Sequence, residues 1–314
     1  MGLHPDIAAQ IRHLWGVSVL DVLAERVPGR PAARAIRRDD VVRTEGVVSG
    51  PDGAVPVRWY RPAGGDGRVL PALVWVHGGG WRWGSLDMAE AESVAQIVAA
   101  TLPAAVVSVD YRLAPDHVHP AGLRDVRAVL DHVLDDADAL GVDARRVALG
   151  GGSAGAHLAA LAVLDGPPER RPAALWLAYP VTDPVEGPFE DRHPDCPEAI
   201  WTGRDVIGGM FDTYLGPGGP DRGEPRLAPT RHPALATLPP TLVTLAEVDG
   251  LRPQAAAFAA AAREAGVDVA VHEVDGVLHG YLDTVGEEPL ADAAVARHIS
   301  WLRARLDVGG AAGN

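Results

Sequence analysis

Ser153 stands in Gly151-Gly152-Ser153-Ala154-Gly155, a G-x-S-x-G pattern that sets one hydroxyl among small residues. An apolar run over 146–149 precedes it and a helical pattern over 154–164 follows, so the serine is expected on a sharp strand-to-helix turn. A non-glycine residue held there adopts an unfavourable backbone conformation, at a cost of about 1–3 kcal/mol. What the strain achieves is exposure of the hydroxyl at a helix N-terminus, where developing negative charge is stabilised. Nucleophilic attack on an acyl carbon is the chemistry that suits such a group. The same stretch admits another reading, because Gly150, Gly152 and Gly155 also spell G-x-G-x-x-G, the dinucleotide fingerprint. That fingerprint expects an acid at the end of the next strand. The next apolar run, 173–178, is followed by Tyr179-Pro180-Val181-Thr182, which offers none.

A second group of residues has complementary chemistry. His77-Gly78-Gly79-Gly80-Trp81 follows the apolar run 72–76, and its three glycines leave backbone N–H groups unobstructed. Acyl transfer needs donors aimed at the oxygen that becomes negative, and one such donor is typically worth about 100- to 1000-fold in rate. The N–H groups of Gly78, Gly79 and Ala154 are expected to form this oxyanion hole. A flexible surface loop is the competing reading of the glycines, and the position at a strand end argues against it.

Such residues need a frame. From about residue 40 onward, short apolar runs at 72–76, 104–109, 146–149, 173–178, 241–246 and 267–272 read as strands buried on both faces. Two further strands, 41–49 and 55–60, flank a Pro51-Asp52-Gly53 turn. Helical patterns lie between, at 86–101, 120–140, 154–164, 254–265 and 290–306; in 120–140 the apolar residues Leu123, Val126, Val129, Leu130, Val133 and Leu134 keep a period near 3.6. The alternation predicts an α/β fold with a mostly parallel central sheet flanked by helices. Residues 1–40 look helical. Residues 184–236 are rich in proline and glycine with one helical pattern near 204–215. Both are expected to cap the carboxyl edge of the sheet, where α/β folds place their sites. Core sequence is therefore expected at 41–183 and 237–307, and 308–314 is expected to be a disordered tail.

Composition narrows the partners. The formal charge of −14 over 314 residues argues against nucleic acid and anionic membranes, which call for a basic patch. No apolar run approaches the length of a membrane span. Residues 1–6 carry neither a basic nor an apolar signal region, and the single cysteine, Cys196, excludes an intrachain disulfide. A cytoplasmic location is expected.

Taken together, the HGGGW stretch, Asp110-Tyr111-Arg112-Leu113-Ala114-Pro115-Asp116 and the G-x-S-A-G pattern resemble the hormone-sensitive-lipase-like (family IV) esterases of the α/β-hydrolase superfamily, over roughly residues 70–310. The resemblance implies an α/β-hydrolase fold with a helical cap, no cofactor and no metal, and hydrolysis of small carboxylic esters; relatives in this family often form homodimers. It also locates two further site residues. The family's D-P-L-R-D element corresponds to Asp249-Gly250-Leu251-Arg252-Pro253, and its H-G-F/Y to His279-Gly280-Tyr281. Ser153, Asp249 and His279 then follow the chain order of an α/β-hydrolase triad: His279 would accept the serine proton and Asp249 would orient the imidazole. Glu247 is a competing acid two residues before Asp249.

This chain departs from the family pattern at two places. Gly152 replaces the acid that commonly precedes the nucleophile, and Pro253 replaces the second acid of D-P-L-R-D. These losses are expected to alter the electrostatics around the Asp249 loop or around an arginine such as Arg112, and to suit the site to an unusual substrate or slow turnover. Tyr111 and Arg112 read as a brace behind the site. Trp81, Trp83 and Trp201 are expected to line an acyl or alcohol pocket, with ordinary packing as the competing reading. His157, one turn beyond Ser153, reads as structural. His117 and His119 form an isolated pair without a third metal ligand, and His193 with Cys196 is discounted in the same way. The activity expected is that of a serine carboxylesterase on short- to medium-chain esters. A lactonase, amide hydrolase or acyltransferase with the same triad is an alternative, as is a non-catalytic binding relative.

Overall fold

The computed structural model describes residues 3–17, 35–64 and 67–306. Eight strands form one sheet: β1 (Val41–Gly50), β2 (Gly53–Pro62), β3 (Leu70–Val76), β4 (Ala105–Val109), β5 (Val142–Gly152), β6 (Ala174–Ala178), β7 (Thr241–Val248) and β8 (Val269–Leu278). Their order is β1-β2-β4-β3-β5-β6-β7-β8. The hairpin β1–β2 runs antiparallel at one edge, β2 is antiparallel to β4, and the remaining neighbours are parallel. Seven α-helices accompany them among the described residues: α1 (Pro5–Gln10), α2 (Ala89–Thr101), α3 (Ala121–Asp135), α4 (Ala154–Leu164), α5 (Arg204–Leu215), α6 (Arg252–Glu264) and α7 (Pro289–Leu306). This is the mostly parallel α/β sheet expected from the alternation of runs, and it has the α/β-hydrolase form that the family resemblance implies.

The sheet separates two cores, and β3 shows how. All of its residues are buried. Leu73 and Trp75 point into the core shared with α2 and α7, while Ala72, Val74 and Val76 point into the core shared with α3, α4 and α6. Successive side chains alternate faces, so a strand covered on both sides must be apolar throughout. The helices follow the complementary rule. In α3 the buried stripe holds Leu123, Val126, Val129, Leu130 and Val133, and Asp125 is buried as well. Every residue of α4 is buried, consistent with its apolar composition on all sides. No described helix is long and apolar enough to cross a membrane.

Three expectations need correction. β5 extends from Val142 through Gly152 rather than spanning 146–149. Its glycines lack any apolar signal, yet pairing with β6 reaches Gly152 opposite Ala178. β8 begins at Val269 and continues past His272 to Leu278, across Glu273 and Asp275. A register shift lets Leu278 pair with Val248, so the strand ends directly before His279. In the described part of the N-terminal segment the helical character is confined to α1 and a single 3₁₀ turn, Arg12–Leu14. The expectations for residues 18–34 and for the tail 308–314 fall outside the described residues.

Candidate active site

The site assembles at the carboxyl ends of β3, β5, β6, β7 and β8. Ser153 occupies the residue between β5 and α4 with φ of 52° and ψ of −116°, a strained conformation for a side-chain-bearing residue. Its N–H donates to the Ala178 carbonyl at 2.9 Å, which fixes the turn against β6. Gly155 shows why the motif needs glycine. A Cβ there would come within 2.2 Å of the Val76 carbonyl oxygen and 2.3 Å of that of His77. The first turn of α4 can pack under the end of β3 only without side chains.

Ser153 Oγ lies 2.9 Å from His279 Nε2, and His279 Nδ1 lies 2.8 Å from Asp249 Oδ2. With Nδ1–H donating to the carboxylate, Nε2 presents its lone pair to the Ser153 hydroxyl. Asp249, 1% exposed, accepts two more hydrogen bonds on Oδ1: from Thr202 Oγ1 at 2.5 Å and from the Leu251 N–H at 2.9 Å. The Tyr179 ring packs edge-on against the His279 imidazole, with centroids 4.9 Å apart. Glu247, the competing acid, instead accepts the Gly276 N–H at 2.7 Å.

The glycine loop is held from below. The Tyr111 hydroxyl donates to the His77 carbonyl at 3.0 Å, and the two rings stack at 4.4 Å. His77 Nδ1–H donates to the Gly78 carbonyl at 2.7 Å, and burial pushes this imidazole down to about 4. Gly79 has φ of +110°, and a Cβ there would lie 2.0 Å from the Trp83 carbonyl oxygen, so the turn is open to glycine alone. Gly78 borders the cavity beside Ser153. A Cβ built on Gly78 would lie 3.0 Å from Glu90 Oε2, so the buried Glu90 carboxyl on α2 packs against this loop. Ala154 opens α4 directly after Ser153, and Gly79 borders the cavity.

A cavity of about 220 Å³ opens over Ser153 and His279. Trp83, Met88, Val181, Ile207 and Met210 give it an apolar lining, while Thr202, Glu90 and Asp283 add polar groups. Trp81 also borders it, but its ring is 1% exposed and is held by stacking on Tyr214 at 5.3 Å and by an Nε1–H bond to His157 Nδ1 at 3.2 Å. Trp201 does not border the cavity. It is packed in the core on the α2 and α7 side, one residue before Thr202. His157 is structural as expected: its Nε2–H donates to the Leu227 carbonyl at 2.9 Å.

The remaining candidates fall away from the site. Arg112 binds Asp125 on α3 at 2.8 Å and Asp52 at 3.2 Å, so it braces the β1–β2 turn and not the Asp249 loop. Pro253 sits in the first turn of α6, where its missing N–H has no intrahelical partner to lose. His119 Nδ1 meets the Tyr214 hydroxyl at 3.0 Å, and His193 Nδ1 accepts the Asp195 N–H. No group of three or more His, Cys, Asp or Glu among the described residues could hold a metal ion. Glu90, Tyr179 and Thr202 are the site residues that sequence reasoning missed. An acid in the first turn of a helix reads as ordinary dipole compensation, and nothing local to Thr202 indicates a partner 47 residues away.

Comparison with known proteins agrees with this geometry. A family model described as alpha/beta hydrolase fold matches residues 73–283. Carboxylic ester hydrolase LipN of Mycobacterium tuberculosis is 34% identical, covering 93% of this chain and 80% of its own length. Carboxylesterase NlhH of the same organism is 36% identical over 84% of this chain and 83% of its own. Among solved structures, a bacterial heroin esterase superposes with a TM-score of 0.81 at 29% identity, covering 97% of this chain and 98% of the other. A hyperthermophilic esterase from Pyrobaculum calidifontis gives 0.80 at 29% identity, covering 97% and 99%. The chain therefore belongs to the α/β-hydrolase fold family, in its hormone-sensitive-lipase-like branch.

Proposed function

We propose that this protein is a serine carboxylesterase that hydrolyses small, uncharged carboxylic esters. The observation that carries the reading is the unbroken chain Asp249–His279–Ser153, with contacts of 2.8 and 2.9 Å, at the floor of the cavity. In this mechanism Ser153 Oγ attacks the ester carbonyl carbon while His279 Nε2 takes its proton. The carbonyl electrons move onto oxygen, and the N–H groups of Gly78, Gly79 and Ala154 stabilise that charge. His279 then protonates the departing alkoxide. Water, deprotonated by the same imidazole, attacks the acyl-Ser153 ester and releases the acid. Asp249 holds the imidazole tautomer and stabilises the imidazolium that forms twice per cycle.

Substrate size is inferred from the cavity. At about 220 Å³ it lies below the roughly 300–1,000 Å³ usual for drug-sized ligands, which favours short acyl and alcohol groups. The apolar lining favours neutral ones, and relatives named carboxylesterase and, in Pseudomonas putida, ethyl acetate hydrolase (29% identical) point the same way. The same reading makes residues 184–236 a cap, since Thr202, Ile207 and Met210 from this segment border the cavity. In the described part of the N-terminal segment, the His4 N–H donates to the Gly276 carbonyl at 3.0 Å and anchors α1.

The test is hydrolysis of p-nitrophenyl esters from acetyl to long chains, beside lactone and anilide panels, with Ser153→Ala in parallel. The expected outcome is a preference for short esters and loss of both turnover and fluorophosphonate labelling in the variant. Ester hydrolysis that survives Ser153→Ala would overturn the mechanism, and faster turnover of lactones or amides would overturn the substrate class.

A further inference from the structure

The acid that this chain lacks before its nucleophile leaves a gap, and the structure fills it from elsewhere. A Cβ built on Gly152 would meet Oε1 and Oε2 of Glu90 at 2.6 Å and its carboxyl carbon at 2.7 Å. The Glu90 carboxyl, carried on the first turn of α2, thus occupies the space into which a side chain at residue 152 would project. It is 2% exposed. It accepts a hydrogen bond from Trp75 Nε1–H on β3 at 3.2 Å and from the Tyr179 hydroxyl at the end of β6 at 3.4 Å, and a Cβ built on Gly78 would lie 3.0 Å from its Oε2. Three parts of the site meet at this one group: the oxyanion loop through Gly78, the elbow through Gly152, and the His279 imidazole through the Tyr179 ring packed on it.

We propose that Glu90 is a positioning residue for ester hydrolysis, a carboxyl supplied from α2 in place of one at residue 152, which holds the oxyanion loop and the Ser153 elbow in register. The inference rests on the serine-esterase reading above. Its chemistry is that of a neutral acid. Burial, and then the charge of Asp283, push the Glu90 carboxyl up to about 8, so it is protonated at neutral pH. Asp283 also accepts the Glu90 backbone N–H at 3.0 Å. The other titratable groups around it are Tyr179 and Tyr111, both raised well above the usual phenol range by burial, His77, which burial keeps neutral, and His279 across the Tyr179 ring. A neutral carboxyl can brace the Gly78 loop without opposing the negative charge that forms beside it. Once ionised, it would place a full negative charge next to the oxyanion.

Moving the carboxyl tests the idea. Kinetics would be compared for the wild type, Glu90→Gln, Glu90→Ala, Gly152→Asp and the double variant Glu90→Ala/Gly152→Asp, with circular dichroism and thermal midpoints for each. A fall in kcat is expected for the wild type above about pH 8, and Glu90→Gln is expected to keep kcat within about three-fold at pH 7 and to lack that fall. Glu90→Ala is expected to lower kcat about 10- to 100-fold, less than the roughly 100- to 1000-fold of an oxyanion donor removed outright, with little change in KM. Gly152→Asp alone should lower the thermal midpoint, because two carboxyls cannot share the space. In the Glu90→Ala background the same change should be tolerated and should restore kcat at least about ten-fold, the lower end of the loss expected for Glu90→Ala. A folded Glu90→Ala enzyme with wild-type kcat and pH profile overturns the proposal. So does a double variant, folded but no more active than Glu90→Ala. In both cases the wild type still hydrolyses esters and the parent reading stands. A wild type inert to every ester and to fluorophosphonate removes both.

Discussion

Asp249 uses both of its oxygens. Oδ2 faces His279, and Oδ1 takes the hydroxyl of Thr202 and the N–H of Leu251. Such a carboxylate is fixed in direction as well as in charge, and direction is what an imidazole tautomer depends on. Asp249→Asn should therefore lower kcat by about 10,000-fold, the scale seen when a triad acid becomes an amide, while leaving KM and the thermal midpoint nearly unchanged. Thr202→Val is the finer test. It removes one charge-assisted hydrogen bond of about 1.5–3 kcal/mol and should lower kcat several-fold, measured on p-nitrophenyl acetate at saturating substrate. A Thr202→Val enzyme as fast as the wild type would show that the Leu251 N–H alone is enough to hold the carboxylate. At this scale the sequence was legible where a motif named the residue, as for Ser153, His279 and Asp249. It was silent on Thr202 and Glu90, which belong to no motif and act only through partners distant in the chain.

At the scale of elements, one histidine joins three of them. His157, on α4 one turn beyond Ser153, accepts from Trp81 on the glycine loop after β3 and donates to the Leu227 carbonyl in the segment over the sheet edge. Around it pack Phe211 and Tyr214 of α5. His157→Leu would leave the Trp81 N–H and the Leu227 carbonyl unpaired and buried, at about 1–3 kcal/mol each. The expected result is a lower unfolding midpoint in urea, with the loss in kcat smaller than the loss in stability; an unchanged midpoint would show that water replaces both bonds. The boundaries of β5 and β8 teach a related lesson. Both strands outrun their apolar runs, through Gly150–Gly152 in one and Glu273–Leu278 in the other, because pairing with β6 and β7 supplies what side-chain propensity does not. That extension brings Ser153 and His279 directly to strand ends, closer to the sheet than the apolar patterns implied.

Across the whole molecule, burial of titratable groups sets a pH window. His77 and His157 are pushed down to about 4 by desolvation, His272 likewise, and His298, between His272 and the Tyr281 hydroxyl, lies well below its ordinary value. A histidine that is harder to protonate in the folded state stabilises it fully above its unfolded value near 6.5 and less as pH falls toward 4. Glu90 acts in the opposite direction: its contribution is full below 4.5 and is lost as pH rises toward about 8. The thermal midpoint should accordingly fall as pH is lowered from 6.5 to 4, with net proton uptake on unfolding; a flat profile over that interval would contradict the burial of these imidazoles.

The sequence by itself determined the strand–helix alternation, the elbow at Ser153 and the glycine loop after β3. These depend on the backbone preferences and periodicity of neighbouring residues, which a linear string records. Only the tertiary structure decided what surrounds them. The sheet order places β3 beside β5 and sets α2 over one face, so Glu90 reaches the space above Gly152; the segment that carries Thr202 folds back to Asp249 across 47 residues. Contacts of that kind arise from the packing of whole elements, and no local pattern encodes which distant side chain will fill a gap left by a glycine.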